Sequence, residues 1–290
     1  MKKVIFFGLG SIGKKHLRLI NEMYDFDIYA YRTLANLQKS DAAIQCYTEV
    51  FDWDTITRIE PDAAFICNPT FLHIETAIKC VKHRIYNIFL EKPIDCKTNG
   101  LRELTNLIAD NCATVYVGYP LRHLDVFNNL NIESNTAYIC CKSNLADWRD
   151  YQTYSAFKSK GGGCILELSH EIYLADYLLG PIVDLRGSYG KAKNSTTDAE
   201  DFCHLVAQHE NGAYSNIFLD ISWESEPERY IIFNDGIDRI DYKADDDLFK
   251  KQLGYFFDNL NNPEIDNNLI SLSSLFKKLI KLRNLHDWGV

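Results

Sequence analysis

Over the first 118 residues the hydrophobic positions switch repeatedly between two periods. Val4 to Phe7 is an unbroken run of β-formers, and from Lys14 to Met23 the residues His16, Leu17, Leu19, Ile20 and Met23 recur at helical spacing. Further β-rich runs occupy Phe26 to Tyr31, Ala63 to Cys67, Ile88 to Leu90 and Thr114 to Gly118, with helical stretches near 71–83 and 98–110 between them. Strands buried on both faces read as continuous apolar runs, so this alternation predicts a parallel sheet with helices on either side.

Beyond Gly118 the texture changes. β-rich segments at Ala137 to Ser143, Ala213 to Ser222, Tyr230 to Asn234 and Arg239 to Tyr242 are separated by turn-rich stretches, which predicts a mostly antiparallel sheet. One strong helix is expected from Ile165 to Leu179, where Ile165, Leu168, Ile172, Ala175 and Leu179 recur at three- and four-residue steps until Gly180-Pro181 stops them. The Asn-rich stretch 259–268 reads as a loop before a last amphipathic helix. The fold class is therefore α/β, with a doubly wound parallel domain over 1–119 and an α/β domain with a mostly antiparallel sheet over 120–290.

Length and charge bear on the choice of partner. A chain of 290 residues suits two domains of about 100 to 200 residues each. A net charge of −9 argues against nucleic-acid or anionic-membrane surfaces. The apolar run in MKKVIFFGLG is too short for a secretory signal, and no run of about 18 apolar residues follows, so neither export nor membrane insertion is expected. The nine cysteines form no C-x-x-C pair, and reduced thiols in a cytoplasmic protein account for them. No metal site is expected.

Chemistry enters at Gly8-Leu9-Gly10-Ser11-Ile12-Gly13, which follows a strand and opens a helix. The three glycines stand where a tight turn, close approach of backbone to a pyrophosphate, and close helix-to-strand packing each need a residue without Cβ. The anion would rest on the helix N-terminus, so the whole loop is a candidate dinucleotide site of the Rossmann type. The second strand ends Tyr31-Arg32-Thr33 and lacks the acidic residue that usually binds the NAD ribose. A guanidinium at Arg32 can pair with a 2′-phosphate, which favours NADP over NAD; the alternative is an exposed surface arginine with NAD held by other groups.

Downstream, Phe89-Leu90-Glu91-Lys92-Pro93 is a buried strand ending in Glu-Lys-Pro. With the glycine loop it resembles the glucose-fructose oxidoreductase and inositol dehydrogenase family (Gfo/Idh/MocA). Cys67-Asn68-Pro69-Thr70 with His73 is similar to that family's loop beside the nicotinamide ribose. Gly118-Tyr119 with Arg122 is similar to its interdomain crossover, and Gly161-Gly162-Gly163 to its glycine triplet. The resemblance spans about residues 1 to 245. It implies that Lys92 and His170 are catalytic, with Glu167 completing a triad, and that Glu91 and Lys92 also touch the cofactor.

These assignments have a physical basis. A cation at Lys92 would steady charge developing on a substrate oxygen, and Glu91 could hold it in place. A tight active-site turn also favours a cis Lys92–Pro93 bond. Glu167 and His170, three residues apart, share a helix face turned away from the apolar stripe, and histidine suits proton transfer near neutrality. The family commonly places its carboxylate four residues before the histidine, and a sub-group has Asp where this chain has Tyr173.

Trp148, Tyr151 and Tyr154 match the aromatic stretch ahead of the triplet. They read either as walls of a carbohydrate pocket or as ordinary core. Arg122 reads either as a holder of a carboxylate or nucleotide-sugar phosphate, or as an interdomain salt bridge. Tyr173 joins Lys92, Arg122 and His170 among the candidate substrate contacts. The implied activity is reversible oxidation of a secondary alcohol on a sugar, nucleotide sugar or cyclitol by a homo-oligomer. A cofactor-binding sensor without turnover and a reductase of a non-sugar substrate are the alternatives.

Overall fold

A computed structural model describes residues 1–33, 46–128, 130, 132, 135–144, 154–192, 197–234 and 236–285. The opening apolar run becomes β1 (Lys3–Phe7), and the periodic stretch after the glycines becomes α1 (Ser11–Met23). There follow β2 (Asp27–Tyr31), β3 (Thr48–Val50), α2 (Trp53–Ile59), β4 (Ala63–Ile66), α3 (His73–Lys82), β5 (Asn87–Glu91), α4 (Leu101–Asn111) and β6 (Thr114–Gly118). All pairings are parallel in the order β3-β2-β1-β4-β5-β6. The chain runs outward one way from β1 and then returns to its other side at β4. That reversal opens a crevice at the carboxyl ends of β1 and β4, the usual ligand position in such sheets.

Aromatic side chains fill one face of this sheet. Phe6, Phe65 and Phe89, on adjacent strands, stack with ring centroids 5.0 and 4.9 Å apart, and Tyr116 follows at 5.4 Å from Phe89. Offset rings of this kind add about 0.5–1.5 kcal/mol per pair to the burial itself. The stack is covered from far along the chain. Phe256 meets Phe65 and Phe89 edge-on at 5.6 and 5.5 Å. It lies on α7 (Asp246–Asp258), whose Leu253, Phe256 and Phe257 belong to the same buried cluster as Leu17 and Ile20 of α1.

The molecule accordingly divides into two compact units, Met1–Gly118 with Asp246–Leu272, and Tyr119–Asp245 with Ser273–Val290. A single division at residue 119, with everything after it assigned to a second domain, does not describe this. The return segment joins the first unit because its apolar face completes that unit's core.

In the second unit the sheet order is β12-β11-β7-β10-β9-β8. These strands are β7 (Thr136–Lys142), β8 (Ile182–Gly190), β9 (Phe202–His209), β10 (Tyr214–Asp220), β11 (Glu228–Phe233) and β12 (Asp238–Asp241). Only β7 and β10 pair in parallel, so the sheet is mixed but mostly antiparallel. The helix expected as one piece over 165–179 is two, α5 (Cys164–Glu167) and α6 (Ser169–Leu179), broken at Leu168 (φ −102°, ψ 28°). Gly180, at φ 92°, ends α6 as the sequence predicts. The last amphipathic helix is α8 (Leu269–Leu285). Among the described residues no helix is long and apolar enough to cross a membrane, and no His, Cys, Asp and Glu group could hold a metal ion.

Candidate active site

Two of the loop's three glycines answer packing demands within the fold. Gly8 adopts φ 100°, and a Cβ there would lie 2.5 Å from the backbone nitrogen of Asn68. A Cβ on Gly13 would lie 2.2 Å from the Gly8 carbonyl oxygen. Over Gly10, by contrast, nothing lies within 4 Å of where a Cβ would stand. That open space faces the start of α1, whose N-cap Gly10 offers no side-chain cap and whose first turn carries no acidic residue. An uncapped, positively polarised helix end is what a pyrophosphate needs, so these residues fit the expected dinucleotide. Leu9 and Ile12 are half-buried and Ser11 is exposed beside it.

A cleft of about 290 Å³ runs from this loop along the strand ends, lined by Gly8, Leu9, Arg32, Thr33, Asn68 and Pro69 from the expected set. Trp53, Leu72 and Thr76 line it too and had not been singled out. Trp53 stacks on Phe7 with centroids 5.1 Å apart and makes a rigid aromatic wall. Its only sequence signal is the scarcity of tryptophan.

Arg32 is not an exposed surface arginine. It is 8% exposed, its backbone nitrogen donates to Val50, and its Nε lies 3.3 Å from Glu49 Oε1. Register places Glu49 on β3 opposite Ala30, a partner that spacing along the chain does not reveal.

Cys67 and Asn68 follow β4, and Asn68 lines the cleft. The Cys67 nitrogen donates to Phe7, and burial together with the nearby Glu91 charge pushes its thiol well up, so it packs rather than reacts. The Asn68 side chain donates to Thr76 Oγ1 at 2.8 Å, while its own Oδ1 is buried without a partner. His73 is 2% exposed, and both ring nitrogens lie 2.8 Å from backbone carbonyls, Nδ1 from Pro93 and Nε2 from Asn68. Burial lowers its pKa against the pull of those two carbonyls, Asp95 and Glu91.

At the end of β5 the Lys92–Pro93 peptide is cis. Glu91, expected to hold the Lys92 cation in place, accepts at Oε2 from the Lys92 backbone nitrogen at 3.2 Å. Its Oε1 shares a 2.5 Å hydrogen bond with His16 Nε2 on α1. His16 is fully buried, and its helical spacing in the sequence gives no sign of this partner.

The second unit carries the other candidates. In the glycine triplet, Gly163 (φ 111°) would thrust a Cβ to 2.4 Å from the Glu200 carboxylate. Glu200 pairs at 3.1 Å with Arg283 of α8, whose guanidinium also donates to the Gly162 carbonyl. The triplet is thus clamped by a buried ion pair immediately before α5. Glu167 ends α5 and His170 lies in the first turn of α6, both half-buried.

The His170 ring meets Tyr119 edge-on at 5.7 Å, and Tyr119 stacks on Tyr173 at 4.3 Å. Tyr173 is 3% exposed, so its ring stands as support within this array. Arg122 sits 5.2 Å over Tyr177. Tyr154 is exposed, while Trp148 and Tyr151 lie outside the described residues.

Comparison with known proteins decides the family. Residues 2–119 match the family described as "Oxidoreductase family, NAD-binding Rossmann fold", and residues 139–236 match the "GFO/IDH/MocA C-terminal domain". The chain belongs to the Gfo/Idh/MocA family. Residues 2–119 are thus this family's NAD-binding Rossmann portion, and the glycine loop described above lies within it.

Among curated relatives of this Gfo/Idh/MocA chain is the 2,7-anhydro-N-acetylneuraminate hydratase of Mediterraneibacter gnavus, 23% identical over 242 residues, covering 78% of this chain and 63% of the relative. The chain spans less than two thirds of the length of the curated relatives it matches. Solved structures of the same fold include a myo-inositol dehydrogenase from Corynebacterium glutamicum (TM-score 0.76, 18% identity, 98% of this chain and 94% of that one). The WlbA (WbpB) dehydrogenase from Thermus thermophilus, in complex with NAD and UDP-GlcNAcA, superposes with TM-score 0.75 at 16% identity over 98% of this chain and 94% of that one.

Proposed function

We propose that this chain is a nicotinamide-dependent dehydrogenase that reversibly oxidises a secondary alcohol on a sugar, nucleotide sugar or cyclitol. The observation that carries this reading is the Glu91-Lys92-Pro93 turn, fixed at the carboxyl edge of the parallel sheet by Glu91 and bonded through His73 to the Asn68 loop. The cofactor, when bound, accepts or returns hydride at its nicotinamide ring. Lys92 steadies negative charge developing on the substrate oxygen. His170 takes or returns the hydroxyl proton, with Glu167 orienting it. Arg122 and Tyr154 contact the substrate, and Tyr173 backs Tyr119, whose ring meets His170. Arg32 is the residue that favours NADP. A cytoplasmic, homo-oligomeric enzyme completes the proposal, and nine cysteines without a C-x-x-C pair suit a reducing compartment.

The sugar class is supported by the relatives, one a hydratase named for an anhydro-sialic acid and another a dehydrogenase in complex with UDP-GlcNAcA. The hydratase also motivates a second reading, conversion of a sugar with no net change in cofactor. Calorimetric titration with NADH and NADPH, followed by a panel of sugars, nucleotide sugars and cyclitols, tests both. Turnover is followed by nicotinamide absorbance and separately by product analysis with a trace of cofactor. Lys92→Met and His170→Ala should each lose about 10²- to 10⁴-fold in turnover while still binding cofactor. Turnover unchanged in both variants would refute the assignment, and binding without turnover across the panel would favour a sensor.

A further inference from the structure

Two buried histidines outside the proposed chemistry converge on the lysine turn. His16 lies on α1, three residues beyond the last glycine of the phosphate loop, and its Nε2 meets Glu91 Oε1 at 2.5 Å. The other Glu91 oxygen accepts from the Lys92 nitrogen. A short path therefore runs from the proposed pyrophosphate seat, through one helix turn and one carboxylate, to the backbone of Lys92. His73 makes a second path from the other side, bridging the carbonyl of Asn68, which lines the cleft, to the Pro93 carbonyl just after Lys92. Neutral imidazole carries one N–H and can donate to only one of these carbonyls.

The surroundings make each contact firm. The His16 ring is wedged among Phe65, Phe89 and Phe249 at centroid distances of 6.0, 5.0 and 5.7 Å. A carboxylate buried beside it without that partner would be costly. Around His73, Asp95 accepts from the nitrogens of Ile74 and Cys96 and so ties the start of α3 to the chain just beyond Pro93.

Resting on the dehydrogenase reading above, we propose that His16 and His73 are positioning residues that brace the Glu91-Lys92-Pro93 turn to the two cofactor loops, so that cofactor occupancy and Lys92 placement are set together. Neither histidine touches the reacting atoms. The readout is the reactivity of the Lys92 amine, measured by brief acylation and peptide mass spectrometry with and without saturating NADH or NADPH.

In the wild type, cofactor should change the Lys92 labelling rate by about 5-fold or more, the lower end of ordinary site-to-site coupling. In His16→Leu and His73→Leu the ratio should fall towards one while cofactor still binds. His16→Gln and His73→Gln, each able to keep one hydrogen bond, should retain part of it. A wild-type ratio in folded Leu variants overturns the brace; should those variants not fold, a wild-type ratio in both Gln variants does so. A wild-type ratio near one overturns it as well. Absence of NADH and NADPH binding by the wild type overturns both this proposal and the reading it rests on, whereas intact coupling without turnover on the panel overturns only the latter.

Discussion

Two alanine substitutions three positions apart, at Gly10 and Gly13, should separate folding from cofactor binding in the glycine loop. At Gly13 an added methyl would sit 2.2 Å from the Gly8 carbonyl oxygen, about 1.2 Å inside the 3.4 Å at which ordinary contact begins. The obstacle is backbone, so relief requires moving α1 against β1. Over-packing of this kind costs about 1–3 kcal/mol. With each kcal/mol worth roughly 2–4 °C in a chain near this size, Gly13→Ala should melt about 5 °C lower.

Gly10 is the opposite case. Its backbone (φ −71°, ψ −169°) is open to any residue, and a methyl there meets nothing within 4 Å. Loss of unfolded-state freedom favours alanine by about 0.4–1 kcal/mol, and the poorer helix cap opposes it by a similar amount, about 0.5–1 kcal/mol. The melting temperature of Gly10→Ala should therefore stay within about 2 °C of wild type. Its cofactor affinity should not, because the methyl occupies the seat proposed for the pyrophosphate. Losing one charge-assisted hydrogen bond there, about 1.5–3 kcal/mol, weakens binding about 10- to 100-fold. Calorimetric titration with NADH and NADPH beside a thermal melt reads both quantities. Binding by Gly10→Ala within twofold of wild type would show that the anion does not rest over Gly10.

Other outcomes follow from particular contacts. If Arg32 reads a 2′-phosphate, Arg32→Met should weaken NADPH far more than NADH; equal losses would mean that the Glu49 pair is structural only. Arg283→Met strands Glu200, 2% exposed at its side chain, and should cost about 3–5 kcal/mol in denaturant unfolding; an unmoved midpoint would contradict the clamp on the glycine triplet. His73 and His209 both have pKa values lowered by burial, so the unfolded chain takes up protons first. Their stabilisation is complete above about pH 6.5 and is lost as pH falls below it towards their folded values. Asp95 and Asp176, raised by burial, act with the opposite sign at lower pH. Stability measured from pH 7 to 5.5 should fall, and less steeply in His73→Gln; parallel slopes would refute this.

What could be read from residues alone was local in origin. The turn at Gly8 and the packing of Gly13 against it arise within six residues, although Asn68, which presses on Gly8, lies sixty positions away, and the Lys92–Pro93 turn follows directly from a buried strand. Long-range partners were hidden. Glu49 reaches Arg32 through strand register, His16 reaches Glu91 across 75 positions, and neither pairing leaves a periodic trace. The break at Leu168 was invisible because no glycine or proline marks it and the apolar spacing continues through it. Strand β8 was missed because Asp184, Arg186 and two glycines interrupt its alternation, as its half-exposed residues permit. The helical spacing of Leu248, Leu253, Phe256 and Phe257 was present in the sequence, but no spacing says which sheet a helix will cover.

That last point bears on how such a chain could be cut or recombined. Because Asp246–Leu272 returns to the first unit, the dinucleotide module is not a contiguous block of sequence. A fragment ending near residue 119 would present the uncovered edges of Phe65 and Phe89 to water and invite aggregation. A hybrid that exchanged only the leading segment between homologues would have to fit a foreign helix onto that aromatic face. Viable chimaeras therefore need two crossover events at least, and substitutions at Phe65, Phe89 and Phe256 should be found to vary as a set.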